Sequence, residues 1–317
     1  VLVLLVFGWI YRPDPEAMAA ERPKSAVNTA GQPDDESDVS HTPRTKKGGS
    51  SRSANAKSPT PLEQHLEELV EKLPDEDFHI VVQYPFVIIG DEDQAKVHQR
   101  SSSTIQWAID RLKRDYFKKD PQHIIDIWLF RDKESYESNV KALFDEEPHT
   151  PFGYYSPSKR AIVMNISTGT GTLVHEIVHP FMAANFPACP AWFNEGLASL
   201  YEQCCDRNHH IWGLTNWRLR GLQEAIRSEE GLPSFKSLCQ TTTREFYTED
   251  SGTNYAQARY LCYYLQEHGK LVAYFHEFHR HHQDDPGGYQ TLIRVLGEPD
   301  MEEFQERWEA FVLGLEF

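Results

Sequence analysis

The 317-residue chain lacks the features that mark several common classes of protein. It has no Gly-rich phosphate-binding loop, no nucleophile elbow built on Ser or Cys, and no internal repeat. Its five cysteines do not have metal-finger spacing, and their odd number would leave one thiol free if the chain formed disulfides outside the cell. These absences argue against a P-loop nucleotide-binding protein, an elbow-type hydrolase and a repeat protein.

Positive charge is also scarce. The chain has 32 Lys and Arg residues against 48 Asp and Glu residues, which gives a formal net charge of −16. Such an excess of negative charge repels phosphate backbones and acidic membrane surfaces. We therefore expect no nucleic-acid partner, and the same charge weakly favours basic substrates.

The first 60 residues differ in composition from the rest. Residues 1–10 are apolar except for a glycine, but about twenty such residues are needed to span a bilayer. We interpret this run as the end of a signal or anchor segment, with a buried strand as the alternative. Residues 11–60 are rich in Ser, Pro, Ala, Lys and Asp and are predicted to form a disordered tether. We expect an exported domain, either secreted or tethered to a membrane.

A single domain is predicted over residues 61–317, which can form a sizeable core. Hydrophobic periodicity predicts a short helix after Pro61, two strands within residues 79–90, a helix over 91–117, a strand over 124–130, a helix over 133–144 and a strand over 161–165. Residues 153–160 are predicted to be the hairpin turn before the last strand. After residue 179 the chain is predicted to be almost entirely helical, so the fold class is α+β.

Two histidines and a glutamate occur together in the stretch HEIVH. On a helix, His175 and His179 lie one turn apart on the same face, about 6 Å from each other, which suits two ligands of a zinc ion. Glu176 would then lie beside the open coordination position, where it can accept a proton from water. The flanking residues are apolar, which predicts a buried helix with one polar stripe. A core helix whose histidines only form hydrogen bonds is the alternative.

A third ligand is predicted in the segment AWFNEGLA. Two prolines precede it, so a second helix is expected to begin near Ala191 and to carry Glu195 in its first turns. Two antiparallel helices joined by a short loop would bring Glu195 back toward His175 and His179. Together these three side chains would complete the protein ligands of a catalytic zinc site.

HEIVH followed by WFNEGLA resembles the gluzincin clan of zinc metallopeptidases, whose pattern is HExxH on one helix and a glutamate on the next. Peptidase MA-like domains are the nearest resemblance, and the aminopeptidase N and thermolysin families are more distant. The resemblance covers residues 78–317. It implies a zincin-like fold, Zn²⁺ as cofactor and a peptide or protein substrate, with His175, His179 and Glu195 as metal ligands and Glu176 as general base.

The sequence departs from this family pattern in three ways. Fifteen residues separate His179 from Glu195, fewer than in the thermolysin-like enzymes, so the connecting loop must be tight. Pro180 removes a helix hydrogen bond, and we expect the first helix to bend or end there. Ser199 stands where some gluzincins have an Asp that orients a histidine.

Peptide hydrolysis also needs a donor for the developing oxyanion. The segment NYAQARYL begins a helical run and resembles a downstream segment of MA-like domains, which makes Tyr255 our candidate. Packing in the core is the alternative role, and His209 and His210 are the next candidates. In metallopeptidases of this shape an edge strand pairs with the extended substrate, a role that we assign to residues 161–165.

Three functions are compatible with these observations. The leading hypothesis is a zinc-dependent peptide hydrolase. The alternatives are an inactive binding or scaffolding protein with a zincin fold, and a zinc hydrolase that acts on another polarised carbonyl. The histidines within residues 276–282 lack HExxH spacing, and we predict that they lie on a solvated helix face.

Overall fold

The computed structural model describes residues 58–75, 77–249 and 251–317. The described part of one unit ends at Lys72, and that of the other extends from Leu73 to Phe317. The predicted apolar segment and the predicted tether, as far as residue 57, lie outside the described residues. Within the described ranges, no helix combines the length and the apolar character that crossing a membrane requires.

The smaller unit contributes one described helix, α1, which spans Pro61–Lys72. Thr60 and Glu63 exchange hydrogen bonds at its N-terminus, where the Thr60 amide donates to the Glu63 carboxylate at 2.6 Å and the Glu63 amide donates to the Thr60 hydroxyl at 3.3 Å. This reciprocal pair satisfies two amides that a helix start otherwise leaves without partners. The predicted short helix after Pro61 is confirmed.

Seven strands are described in the larger unit, and five of them form one mixed sheet. The strands are β1 His79–Gln83, β2 Phe86–Gly90, β3 Ile125–Phe130, β4 Gly153–Ser156, β5 Ala161–Asn165, β6 Cys204–Arg207 and β7 His210–Gly213. The sheet order is β1-β2-β3-β5-β4, in which the central pairs are parallel and the two outer pairs antiparallel. The strands β2, β3 and β5 are near-continuous apolar runs because both of their faces are buried.

The helices of the larger unit separate these strands and then follow them. They are α2 Gln94–Arg100, α3 Trp107–Asp115, α4 Lys133–Phe144, α5 Gly171–Asn185, α6 Ala191–Leu200, α7 Arg218–Arg227, α8 Phe235–Gln240, α9 Thr243–Thr248, α10 Ser251–Glu267, α11 Leu271–His281, α12 Tyr289–Leu296 and α13 Met301–Leu313. The α+β class is therefore confirmed, as are the two strands at residues 79–90 and the helix at 133–144. The predicted helix at 91–117 is helical over most of its length, with a π-helical segment at Ser101–Gln106 between α2 and α3.

The predicted hairpin turn at residues 153–160 is wrong in its first half. Gly153–Ser156 is a strand because Tyr154 and Tyr155 pair with Val163 and Ile162 of β5. Only the residues after Ser156 turn, and Arg160 there has a positive φ of 50°. Consequently β4, and not residues 161–165, is the edge strand of the sheet.

Of the two effects expected at Pro180, a bend or an early end of the HEIVH helix, the early end is wrong. Although the proline ring removes one backbone hydrogen bond, α5 continues to Asn185. The residues that follow, Phe181 and Met182, are almost completely buried. Their packing stabilises the helix beyond the proline, as tertiary contacts stabilise most helices in proteins.

The prediction that the chain is almost entirely helical after residue 179 is wrong at one β-hairpin. The strands β6 and β7 pair in antiparallel register around Asn208 and His209, whose φ angles are 54° and 66°. Two successive residues with positive φ form the tight turn that matches the twist of a hairpin. Asn tolerates this conformation well, but the Asn-Gly and Asp-Gly pairs that usually indicate it are missing here.

The helices α5 and α6 pack against each other, and α10 packs along α6. Gly196 of α6 permits the close approach of α10, because an added Cβ would lie 3.0 Å from the backbone oxygen of Ala258. At the start of α5, a Cβ on Gly171 would collide with the backbone carbonyl of Glu202. Both glycines are therefore required by close backbone packing.

Gly171→Ala should destabilise the fold by about 1–3 kcal/mol, since a backbone oxygen cannot move away as a flexible side chain could. The matched control is Gly221→Ala within α7, where an added Cβ meets nothing within 4 Å. That change should stabilise the protein by about 0.5–1 kcal/mol. Urea unfolding of both variants measures the difference, and equal effects would contradict the packing described at Gly171.

Candidate metal centre

The side chains of His175, His179 and Glu195 meet where α5 and α6 pack together. Nε2 of His175 lies 3.3 Å from Oε2 of Glu195, and Nε2 of His179 lies 3.8 Å from Oε1 of the same carboxylate. One ligand atom from each residue lies within 4.8 Å of the others. Tetrahedral zinc with bonds of about 2.0–2.1 Å separates its ligand atoms by about 3.3 Å, so the group could close on a metal ion through small movements.

The three candidate ligand side chains are buried. Both histidines are 8% exposed and Glu195 is 1% exposed. Oε2 of Glu195 is buried and accepts no well-aligned hydrogen bond. A buried carboxylate oxygen without a partner is costly, and a cation between Glu195 and the histidines could be the partner.

The carboxylate of Glu176 lies at the side of this group. Its Oε2 accepts a hydrogen bond from the backbone amide of Tyr155 in β4 at 3.0 Å, and it lies 3.9 Å from Nε2 of His179. Burial, together with the carboxylate of Glu195, raises the pKa of Glu176 to about 7. A carboxylate with a pKa near neutrality can both accept and return a proton.

Each predicted ligand has a second partner that orients it. The amide oxygen of Asn194 lies 3.1 Å from Nδ1 of His179, and Oε1 of Glu202 lies 3.4 Å from Nδ1 of His175. The hydroxyl of Tyr247 donates to Oε1 of Glu195 at 2.6 Å. Partners of this kind set the tautomer and orientation of ligands in metal sites.

Ser199 does not orient a histidine. Its hydroxyl donates to the backbone carbonyl of Glu195 one turn earlier in α6. Glu202, which follows the end of α6, lies beside His175 instead. A carboxylate therefore occupies the orienting position, although it comes three residues later than the family pattern suggests.

Glu202 is held in place by residues at the start of α7. Two nitrogens of Arg218 donate to its carboxylate at 2.8 and 3.0 Å, and the side-chain amide of Asn216 donates at 2.9 Å. Burial alone would raise the pKa of Glu202, but Arg218 and His175 hold it well below its usual range. The carboxylate therefore remains ionised and keeps its orientation.

The cluster carries an excess of negative charge. With neutral histidines, the carboxylates of Glu176, Glu195 and Glu202 and the guanidinium of Arg218 have a formal charge of −2, and protonation of His175 reduces it to −1. Burial alone would lower the pKa of His175, but the carboxylates of Glu195 and Glu202 beside its ring raise it to about 10. The site thus stabilises positive charge, and a divalent cation would neutralise it.

The cluster opens into a cleft of about 980 Å³. Tyr255 of α10, the candidate oxyanion donor, lines this cleft, and burial together with the nearby Glu195 raises the pKa of its hydroxyl well above the usual value. The hydroxyl therefore stays protonated and can act as a donor. All five cysteines are free thiols, and two of them, Cys204 and Cys205, also line the cleft.

The other histidines singled out in the sequence lie away from the site. Nδ1 of His210 pairs with a carboxylate oxygen of Asp115, and His209 lies in the turn between β6 and β7. Nε2 of His276 lies 3.1 Å from the backbone oxygen of Asp115. In the described ranges, His175, His179 and Glu195 are the one group of at least three His, Cys, Asp or Glu side chains with ligand atoms this close together.

No protein-family model matches the chain, and no curated protein matches it. What the site can do is therefore argued from its own geometry and charge.

The buried ion pair of Glu202 with Arg218 yields a prediction about stability. Arg218→Met should destabilise the metal-free protein by about 3–5 kcal/mol, because it leaves a buried carboxylate without its cation. The side chains of this pair are only 14% and 15% exposed. Chemical denaturation in the presence of a chelator measures the effect.

Arg220→Met is the matched control on the same helix. Arg220 also pairs with a glutamate, Glu224, but the arginine is 89% exposed. Its loss should change stability by about 0.5 kcal/mol or less. Similar losses for the two arginines would contradict the description of Glu202 as a buried, compensated charge.

Proposed function

We propose that this protein is a zinc-dependent peptidase of the gluzincin type. The observation that carries the proposal is the buried group of His175, His179 and Glu195 with a further carboxylate, Glu176, beside it in an open cleft. A purely structural metal site has four protein ligands and no free carboxylate next to it. Three ligands and an adjacent base support catalysis instead.

The donor set favours zinc over other divalent cations. Two imidazole nitrogens and one carboxylate oxygen match the ligand set of catalytic zinc sites. Calcium and magnesium prefer sites made entirely of oxygen atoms. The carboxylate–imidazole contact between Glu202 and His175 further supports this choice, since such contacts strengthen imidazole as a ligand.

Each residue of the site has a separate role in the proposed hydrolysis. When bound, zinc would polarise the scissile carbonyl and lower the pKa of a water molecule. Glu176 accepts a proton from the attacking water and returns it to the amine that leaves as the C–N bond breaks. The backbone amide of Tyr155 holds the carboxylate of Glu176 in position for both transfers. Tyr255 donates a hydrogen bond to the developing oxyanion.

A peptide substrate is supported by the position of β4. This strand is an edge of the sheet, and its residues Gly153, Tyr154 and Tyr155 line the cleft beside Glu176. An edge strand can pair with an extended peptide through main-chain hydrogen bonds. We therefore transfer the proposed substrate-pairing role from residues 161–165 to β4, and we propose the zincin-like fold on the same grounds.

Two alternative functions predict different results for zinc binding and peptide turnover. An inactive binding protein with the same fold would hold zinc without cleaving peptides. A zinc hydrolase that acts on another carbonyl would need Glu176 in the same role but would not pair its substrate with the main chain of β4. Metal content and turnover together distinguish these cases.

The first prediction in this group concerns metal content. The purified protein should contain about one zinc ion per chain, which a strong chelator removes. His175→Ala and Glu195→Ala should each lose most of this metal, measured by elemental analysis. His276→Ala is the control and should retain it. Retention of zinc in both ligand variants would place the metal elsewhere.

The second prediction concerns Glu176 as the general base. Glu176→Gln should keep zinc and stability while peptide turnover falls by about 10²-fold or more, because the amide cannot accept the proton. Glu277→Gln, on α11 and outside the cleft, should leave turnover unchanged. If metal-loaded wild-type protein cleaves nothing in a broad peptide library, the binding-protein alternative is correct.

The third concerns Tyr255. Tyr255→Phe should lower kcat by about 10²-fold with little change in KM, because a donor to the oxyanion contributes about 3–4 kcal/mol. Tyr264→Phe, farther along α10 and outside the cleft, is the control and should have normal kcat. Equal behaviour of the two variants would show that Tyr255 only packs, and Tyr247 would then need testing as the donor.

A further inference from the structure

In the part of the cleft that the structure describes, the walls carry no Asp, Glu, Lys or Arg side chain outside the metal site. Among the described residues that line it there is no Asp and no Lys. The carboxylates and the guanidinium are those of Glu176, Glu195 and the Glu202–Arg218 pair, all of which have roles at the site. This neutrality contrasts with the net charge of −16 and removes the reason to expect basic substrates.

The uncharged walls carry exposed aromatic side chains instead. Phe152 is 41% exposed and Trp217 is 49% exposed, and both line the cleft. Large apolar side chains at the surface of a cleft frequently mark the place where a ligand binds. Trp107 and Tyr155, which are partly buried, extend the same surface.

The two exposed aromatics belong to segments that contact different residues of the candidate metal centre. Phe152 immediately precedes β4, whose Tyr155 amide holds Glu176. Trp217 stacks under the guanidinium of Arg218 at 4.2 Å, and Arg218 holds Glu202 on the side of His175. One aromatic thus belongs to the wall that contacts Glu176, and the other to the wall that contacts His175 through Arg218 and Glu202.

We infer that this site selects peptides with bulky, uncharged side chains on both sides of the scissile bond, through Phe152 on one wall and Trp217 on the other. The inference rests on the proposed peptidase function. Aromatic and large aliphatic side chains bury apolar surface against these walls. A charged side chain would lose its hydration there without gaining a partner of opposite charge.

The direct test is a cleavage profile. Metal-loaded protein is incubated with an equimolar library of blocked peptides, and the cleaved bonds are identified by mass spectrometry at low conversion. Phe, Tyr, Leu and Met should be enriched next to the cleaved bonds, and Asp, Glu, Lys and Arg depleted by about 10-fold or more. Cleavage without this preference, or with a preference for charged residues, would overturn the inference.

Two sets of variants assign the preference to the two walls. Phe152→Asp should admit basic side chains on one side of the scissile bond, while Tyr84→Asp, at a residue 68% exposed and outside the cleft, should leave the profile unchanged. Trp217→Ala should lower kcat/KM for the best substrate by about 10-fold or more, and Trp217→Phe should restore most of it. Zinc content should be normal in all four variants. Identical profiles for Phe152→Asp and Tyr84→Asp would contradict the role of Phe152.

Binding measurements separate this inference from the proposed function. Glu176→Gln protein loaded with zinc should bind an uncharged aromatic peptide at least about 10-fold more tightly than its matched analogue with Lys and Asp in place of the aromatics. If the wild type cleaves nothing and this difference in Kd is present, the peptidase proposal fails and the selectivity of the cleft stands. Equal Kd values would overturn the selectivity whatever the turnover.

Discussion

The structure around α5 and α6 depends on an excess of buried negative charge. The carboxylates of Glu176, Glu195 and Glu202 all line the cleft, and the guanidinium of Arg218 pairs with Glu202. Removing ionised groups from water is costly unless opposite charge is close by. Arg218 and a protonated His175 offset two of the three carboxylates, and His179 adds no charge because burial lowers its pKa. A metal ion bound as proposed would supply the remaining positive charge.

The fold supplies the rigidity that such a site requires. His175 and His179 project from a helix that packs against the sheet, and Glu195 projects from a second helix that is itself packed closely on α10 through Gly196. The orienting residues come from four further positions: Asn194 in α6, Glu202 after α6, Tyr247 in α9 and Arg218 in α7. Ligands held by packed helices and by a second layer of hydrogen bonds keep their geometry when the metal leaves or a substrate enters.

Sequence reasoning could predict the parts of the site that depend on local spacing. The pair His175 and His179 and the glutamate Glu195 follow from helical periodicity and from two prolines that separate the helices, and the structure brings them together. Glu202 and Tyr247 could not be predicted in the same way, because their contacts join segments that only the tertiary fold brings together. The family pattern pointed to Ser199, and no local feature marks Glu202 as its replacement.

The wrong fold predictions have the same cause, because those segments also depend on contacts that only the tertiary fold creates. Pro180 is unfavourable in an isolated helix, but burial of the residues after it outweighs the lost hydrogen bond. The strand at Gly153–Ser156 looks like a turn in sequence and becomes a strand by pairing with β5. That pairing matters for function, because it makes β4 the edge strand that borders the cleft.

The central claim is that a metal ion completes the site through His175, His179 and Glu195. X-ray absorption at the zinc edge of purified, metal-loaded protein tests it most directly, because nitrogen and oxygen ligands at about 2.0–2.1 Å are readily distinguished from sulfur at about 2.3 Å. The account predicts a first shell of nitrogen and oxygen only, with the outer-shell scattering of two imidazoles. A sulfur ligand would assign the metal to the neighbouring thiols of Cys204 and Cys205 and contradict the proposed centre.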